Sequence, residues 1–577
     1  MKRLLLASVV LLAASAAHAQ SVPQMDRRVT LIGPTGLNWA LSTKTDVQNG
    51  TLTAPQITGG KISSSDASAA LALPTNGNTT RSFASHFSDT ANVLDFGAKC
   101  DGKTDDTAAF NAATAAARIS ASHSVYIGSR SCRIDGIVKL PNGVWLHGSG
   151  ASGGALLFGN SSQILFSGGS ASAWQGATLS DLYILVSDVT SAQVFPIDMA
   201  TNQPVYSQVR NVQIEGGTYY GVDMSGNNVT VDNVMIQGVH GIGIRVGRGS
   251  TGGNNTDPKI TNTTVSGDFV AGASSSSSAI LTQILDAGGL TLQNNDMVGG
   301  LVGTQIMPGA NQTVFHLFAS NTVLSDSAQQ YGLQIDTGAS SASALDMKFE
   351  GSWTANAQAK DVSVFNSGGG SVQSILFIGH RYYLANGDAF HAGPNVHNIT
   401  ITASQFCGNS ASGTGIYVET GDNGFNITNN RMPAVCAGEG TGNSGTAVSL
   451  AGNNNNAVVT GNDMNGAPYG INFSGGSGLT DSIEGNIGAN SVSRPIVAAS
   501  LTTLPNQVVD YVTLASANGD TVEDIEGVWR GRRIFLYNAT TSSISFGTAT
   551  NICNAYTLTS KGTVEADYTA QGCWYLH

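Results

Sequence analysis

From about residue 140 to 500 the chain alternates short apolar, β-branched runs with Gly- and Asn-rich turns, and no long 3.6-residue periodicity interrupts them. The pattern repeats. Thr402–Phe406 (TASQF) recurs as Thr428–Met432, as Thr460–Met464 and loosely as Glu484–Gly488, at offsets of 26, 32 and 24 residues. Between these copies lie Gly415–Val418, Ala447–Leu450 and Gly470–Phe473, and upstream Asn211–Gly216 returns 22 residues later as Asn233–Gly238. A unit of this size with a few short strands and no helix cannot bury its apolar side alone, so it must stack on its neighbours. A propeller blade needs about 40 residues or more. The pattern therefore predicts an all-β right-handed parallel β-helix, a solenoid whose inward positions form apolar or Asn stacks.

The flanks read differently. Residues 20–90 are rich in Thr, Ser and Gly, as at Ile57–Gly60, and predict an arm or linker with little core. At Asn92 a short strand, Val93–Ala98, leads through Cys100–Thr107 into Ala108–Ala113, where a short helix is expected to cap the open end of the solenoid. Thr104 is the expected N-cap, with Asp105 and Asp106 in the first turn serving structure rather than catalysis. The solenoid is assigned to 91–503. Residues 504–577, with Trp529–Leu536 and a closing Gly572–Tyr575, predict a small C-terminal β-domain.

Residues 1–19 predict a secretory signal peptide: Lys2 and Arg3, an apolar run Leu4–Leu12, and Ala17-His18-Ala19 before an expected cleavage site after Ala19. The apolar run is too short to span a bilayer, and no later stretch approaches about 18 apolar residues. A secreted or periplasmic protein without a membrane span is expected. In that oxidising setting the six cysteines predict three sequence-local disulfides, Cys100 with Cys132, Cys407 with Cys436 and Cys553 with Cys573. The rival reading is six buried thiols. The formal charge is −12, or −14 without Lys2 and Arg3, which excludes nucleic acid as a natural partner. Charged residues make up only 11% of the chain, so Ser, Thr, Asn and backbone supply most polar surface, a composition suited to hydroxyl-rich ligands and equally to tight turns.

The string Asn92–Ala117 (NVLDFGAKCDGKTDDTAAFNAATAAA), with Ser124–Gly128 and Leu140–Gly150 after it, resembles the opening of the pectate-lyase-like superfamily, which includes rhamnogalacturonases, polygalacturonases and phage tailspike depolymerases. Asn76–Ala84 resembles the approach to the β-helix in the tailspike-like branch. That resemblance implies a homotrimer with a C-terminal domain aiding assembly, although the signal peptide departs from phage tailspikes. The polygalacturonase catalytic motifs are absent in their usual order, since Asn255-Thr256-Asp257 follows Val239-His240-Gly241. No catalytic residue is carried over.

Candidate chemistry comes from register instead. Equivalent positions stand about 4.8 Å apart on neighbouring coils and about 9.6 Å apart with one coil between, distances that bracket the carboxyl spacings of glycosidases. Aligning the strands that start at Gly332, Asp361, Asp388 and Gly415 stacks Asp361 on Asp388, a pair suited to acid catalysis, or two turn-forming aspartates. Aligning Phe349-Glu350-Gly351-Ser352-Trp353 with Phe377–Arg381 and the next two repeats stacks Trp353, Arg381, Gln405 and Arg431, with Tyr382 and Tyr383 nearby, as sugar-binding groups. Glu350 is a further candidate acid. His391 is a candidate lyase base, with Arg381 neutralising charge, or a hydrogen-bonded bystander. Residues 345–435 are the expected groove. No metal or other cofactor is assigned, calcium being compatible with a lyase. The expected function is a polysaccharide-degrading hydrolase or lyase acting on an exopolysaccharide or pectin-like chain. Its rivals are a non-catalytic trimeric glycan-binding matrix or adhesion protein and an epimerase acting within the polymer.

Overall fold

A computed structural model of the chain describes Leu71–Ala72, Arg81–Ser82 and most of residues 89–487 and 503–577. The expected signal peptide and nearly all of the expected arm over 20–90 lie outside the described residues. From Ala91 the chain coils into a parallel β-solenoid. One wall is a sheet of 13 parallel strands running from Ile137–Leu140 to Tyr469–Ser474. The remaining walls are long strands such as Ser343–Glu350 and Ser371–Ile378, each followed after a corner by a short one such as Trp353–Ala355 or Arg381–Ala385. The register matches the repeats in the sequence: Thr402 pairs with Thr428, Thr428 with Thr460, and Thr460 with Glu484.

Two features hold successive coils in step. Inside, buried side chains stack on their own kind, as Phe349 on Phe377 at 4.8 Å and Tyr382 on Phe406 at 4.2 Å between ring centroids. Beside them runs a buried polar ladder in which a backbone N–H of each coil donates to a side chain of the next: Ser404 to Asn430, Asn430 to Asn462 and Asn462 to Asn486, at 2.9–3.0 Å. These bonds satisfy backbone groups that the sharp corner takes out of the strand ladder. At the same corner the backbone is left-handed in coil after coil, at Asn262, Asn294, Asn321, Gly351, Gly379, Ala403, Asn429, Gly461 and Gly485. Asn and Gly tolerate this conformation, which explains why the turns are so rich in them. On the outside Asn321 Nδ2 donates to Asn294 Oδ1 at 2.9 Å, and Asn294 to Asn262 at 3.2 Å.

The helix Thr107–Ile119 lies against the first coils and buries Phe110, Ala113 and Ala117. It starts three residues after the expected cap at Thr104. Asp106 occupies the N-cap without a side-chain cap bond and instead accepts the Lys99 and Cys100 N–H groups at 2.7 and 3.0 Å. Asp105 accepts from Thr107 and the Asp135 N–H, and Asp101 from Lys103 and Thr104, so all three acids brace the turn. Cys100–Cys132 and Cys553–Cys573 are disulfides. Cys407 is also disulfide-bonded, while Cys436 lies outside the described residues. Residues from Val512 to Leu576 have their own buried cluster, including Leu514, Leu536, Phe546 and Trp574, between a four-stranded and a three-stranded sheet.

Candidate functional site

The short strands after the long ones carry the candidate groove. Because adjacent side chains on a strand alternate in and out, one position per coil forms an outward column, and here it reads Asp296, Val323, Trp353, Arg381, Gln405, Arg431, Asp463. The stack of Trp353, Arg381, Gln405 and Arg431 expected from the sequence is therefore present in register. The neighbouring outward column holds Val298, Asp326, Ala355, Tyr383 and Cys407. Tyr383 meets Trp353 edge to face, ring centroids 5.9 Å apart. Arg381 is exposed, and among the described residues its guanidinium has no hydrogen-bond or ion-pair partner. Arg431 reaches Asp463 only loosely, at 3.9 Å. The strip thus offers an aromatic pair, two cations two coils apart, and an amide, all facing outward.

Other expected members fall elsewhere. Tyr382 points inward, is 1% exposed and packs on Phe406 and His380, so it belongs to the core. Glu350 pairs with Lys348 at 2.7 Å on the outer face of the long strand, across the Gly351–Ser352 corner from Trp353. Asp361 and Asp388 do not share a column. Lys360 pairs with Asp388 and Val362 with Phe390, which puts Asp361 opposite Ala389, one residue out of step with the sequence alignment. Asp361 turns into the solenoid, where it is fully buried, and its Oδ1 accepts the Ala357 N–H at 3.2 Å. Burial pushes its carboxyl well above the usual range, the Ala357 and Tyr383 N–H groups oppose this, and the charge of Asp326 adds to it.

Asp388 and His391 form a separate cluster on the 13-stranded wall. His391 Nδ1 lies 2.7 Å from Asp388 Oδ2 and Nε2 lies 2.8 Å from Glu419 Oε1. Both ring nitrogens are engaged and the side chain is 8% exposed, so neither is free to take a proton from a ligand. The arrangement is that of the hydrogen-bonded bystander rather than the lyase base. Burial pushes Asp388 up, but hydrogen bonds from His391 and the Thr414 N–H, with the charges of His391 and Lys360, outweigh it and hold the carboxyl low. This cluster and Arg381 lie on adjoining walls, on either side of the Asn386–Gly387 corner.

Two carboxyls in the strip escaped the sequence reading, Asp296 and Asp326. The register shifts between them, with Asp296 opposite Val323 and Val298 opposite Asp326, because the strand Val323–Asp326 holds one extra residue in a bulge. A fixed repeat length cannot find a pair divided by a bulge. Asp326 Oδ1 accepts from Ser327 Oγ at 2.8 Å and Asn356 Nδ2 at 3.2 Å. Asp296 is half-buried, and burial followed by the charge of Asp326 raises its carboxyl. Cys100, Asp106 and Cys132 lie within metal-ligating distance of one another, but the disulfide uses both sulfurs. No helix among the described residues is long and apolar enough to cross a membrane.

Residues 90–285 match the profile of the rhamnogalacturonase A/epimerase, pectate lyase-like family. No curated protein matches the chain by sequence. Among solved structures, the pre-mature bacteriophage phi29 gene product 12 aligns with TM-score 0.50 and 14% identity over 78% of this chain and 66% of that one. The Dettilon tailspike protein gp208 aligns with TM-score 0.48 and 12% identity over 64% and 70%. The catalytic unit of an α-1,3-glucanase from Streptomyces thermodiastaticus aligns with TM-score 0.38 and 15% identity over 69% of each chain. The phi29 alignment, at 14% identity, shows a shared fold alone. Over residues 90–285 the chain is thus similar to the pectate-lyase-like family, and the parallel register of its coils accords with that similarity.

Proposed function

We propose that the chain is an exported carbohydrate-active protein that binds a polysaccharide lengthwise along the strip from Asp296 to Asp463 and cleaves it. The observation that carries this reading is the column itself. Trp353, with Tyr383 at its edge, offers apolar faces for sugar rings, and the unpaired Arg381 with Gln405 and Arg431 offers donors at intervals of one coil. A coil spacing of about 4.8 Å approximates one sugar ring of an extended glycan, so successive coils can address successive sugars. The description of the matched family, a rhamnogalacturonase and an epimerase, accords with such a substrate. The disulfides, Cys100–Cys132 and Cys553–Cys573 among them, and the leader expected over residues 1–19 accord with export. Assembly as a homotrimer, implied by the tailspike resemblance, belongs to the same proposal.

The test is a panel of exopolysaccharides and pectins presented to the mature protein, reading binding by affinity electrophoresis and scission by new reducing ends. Trp353→Ala and Arg381→Ala are each expected to weaken binding by about tenfold, equivalent to about 1.4 kcal/mol. Binding that survives both substitutions places the glycan elsewhere. Binding without scission in the native protein turns the reading into the adhesion protein.

A further inference from the structure

We infer that the outer face of the first coils carries a second binding site, for an anionic sugar unit whose ring lies on Trp145 and whose acid group is held by Arg210. The site is apart from the strip and does not depend on cleavage there. Seven strand pairings separate Trp145 from Lys348, which shares a coil with Trp353, or about 34 Å at 4.8 Å per coil. Trp145 is 37% exposed in a column whose neighbours, Ser124 and Thr178, are small and polar. Leu146 points inward and is fully buried, so Trp145 and His147 stand side by side on the outside. The rings are fixed in place. His147 stacks on Trp145 with centroids 4.0 Å apart and planes at 23°, and Tyr126 lies 5.4 Å from His147. The indole Nε1–H donates to Ser180 Oγ at 2.8 Å, Ser180 Oγ donates to Asp181 Oδ2 at 2.6 Å, and Asn211 Nδ2 donates to Asp181 Oδ1 at 3.0 Å. A relay over three coils thus sets the tilt of a solvent-facing ring. Burial lowers His147 below its ordinary value, against a hydrogen bond with the Gly148 backbone and the charge of Asp181, so at neutral pH it is an uncharged wall beside the indole.

Arg210 supplies the charge. It stands in the column of His147, two coils on, and its Cζ lies 5.9 Å from the Trp145 ring, at the outer limit of a cation–π contact. The carboxylates near it in register are already engaged. Asp181 accepts from Ser180 and Asn211, and Asp232, the partner of Arg210 on the next coil, accepts through Oδ1 from Thr261 and Asn262 at 2.6 and 2.8 Å. Among the described residues the N–H donors of Arg210 therefore have no hydrogen-bond or ion-pair partner, and neither does the exposed side-chain amide of Gln208 in the column of Trp145. A planar guanidinium with free donors matches the paired oxygens of a carboxylate or phosphate, and an aromatic face matches the apolar C–H face of a sugar ring. Trp145, Gln208 and Arg210 thus place within three coils the platform, the amide and the cation that Trp353, Gln405 and Arg381 place within three coils of the strip. Where the strip also binds, the two sites hold a long acidic polymer at two points and raise its affinity beyond that of either alone.

The test uses the full mature chain carrying Trp353→Ala and Arg381→Ala, which silences the strip, titrated calorimetrically with uronate oligosaccharides (galacturonate, glucuronate and mannuronate), phosphorylated mannose oligosaccharides and neutral maltooligosaccharides. At least one anionic probe is expected to bind, and the one that does names the acid group as carboxylate or phosphate. Adding Trp145→Ala or Arg210→Gln should each weaken that binding by at least about tenfold. Trp145→Phe, which keeps a ring and loses the Nε1 bond, should weaken it less than Trp145→Ala. Both side chains are exposed, and melting curves check that the variants fold. Unchanged affinity in both Trp145→Ala and Arg210→Gln overturns the site, and equal affinity for the neutral probe overturns the anionic class. Silence of the strip-silenced chain towards every anionic probe also overturns the site. In that case binding by the chain with an intact strip leaves the reading of the strip standing, and silence there as well overturns both.

Discussion

Asp422 sits almost wholly buried in the turn after Ile416–Val418, where Oδ1 accepts the Val396 N–H at 2.8 Å and Oδ2 has no partner among the described residues. Burial, with a further push from the charge of Glu419 and against the Val396 N–H, raises its carboxyl to about 7. An unfolded Asp ionises at its ordinary value near 3.8, so between there and about 7 the folded state binds the extra proton. Stability therefore falls as pH rises through that window and levels above it. Asp422→Asn should remove this slope, a difference on the order of a few kcal/mol between the ends of the window, measured by urea unfolding at several pH values. His380 acts in the opposite sense over an overlapping range. Burial lowers it to about 3, so below its ordinary value of 6.5 the unfolded state gains the proton and stability falls with acid. Measuring Asp422→Asn against the native chain leaves the His380 contribution in both and cancels it.

At the level of the element, the left-handed corner column decides what each position tolerates. Ala403 is the member that is neither Asn nor Gly, with φ of 51°. A left-handed Ala costs about 1–2 kcal/mol, and Gly loses about 0.5–1 kcal/mol more entropy on folding, so Ala403→Gly should raise stability by up to about 1 kcal/mol in denaturant titration. Phe377, stacked on Phe349 and buried completely, should cost about 3–5 kcal/mol as Phe377→Ala by the same measurement. These columns also show what the sequence could reveal. Thr402, Thr428 and Thr460 align by eye because a corner of fixed geometry admits few residues, and the same logic placed Trp353, Arg381, Gln405 and Arg431 together. Asp388 was misplaced by one residue because aligning the two aspartates sets the coils 27 residues apart where the strands pair 28 apart, Lys360 with Asp388, and in a strand one residue exchanges inside for outside. Tyr382 and Tyr383 illustrate the same rule: they are adjacent in sequence, yet one is core and the other groove. Asp296 and Asp326 were illegible because a bulge, not a repeat, brings them to one face.

Across the molecule, the exposed end of a parallel stack is its weakest place, and the helix Thr107–Ile119 covers it here. The Cys100–Cys132 disulfide ties the turn before that helix to the strand Cys132–Ile134, closing a loop of 32 residues. A loop of that length implies about 3–4 kcal/mol. Cys100→Ser with Cys132→Ala should lower stability by that amount and make the first coils exchange amide hydrogens before the centre of the solenoid does, as read by hydrogen exchange with mass spectrometry.

The shifted register at Val323–Asp326 has a bearing on ancestry. In a stack where every coil templates the next, a residue gained inside a strand would turn all later side chains over, inner to outer, unless it is absorbed where it arises. Here it is absorbed within four residues, since Trp353 again follows Val323 in its column. Lineages of this architecture can therefore change in two currencies: whole coils, which lengthen the track without altering its spacing, and single local slips, which leave the track intact but swing one side chain sideways into a new partnership. Asp326 beside Asp296 is such a slip.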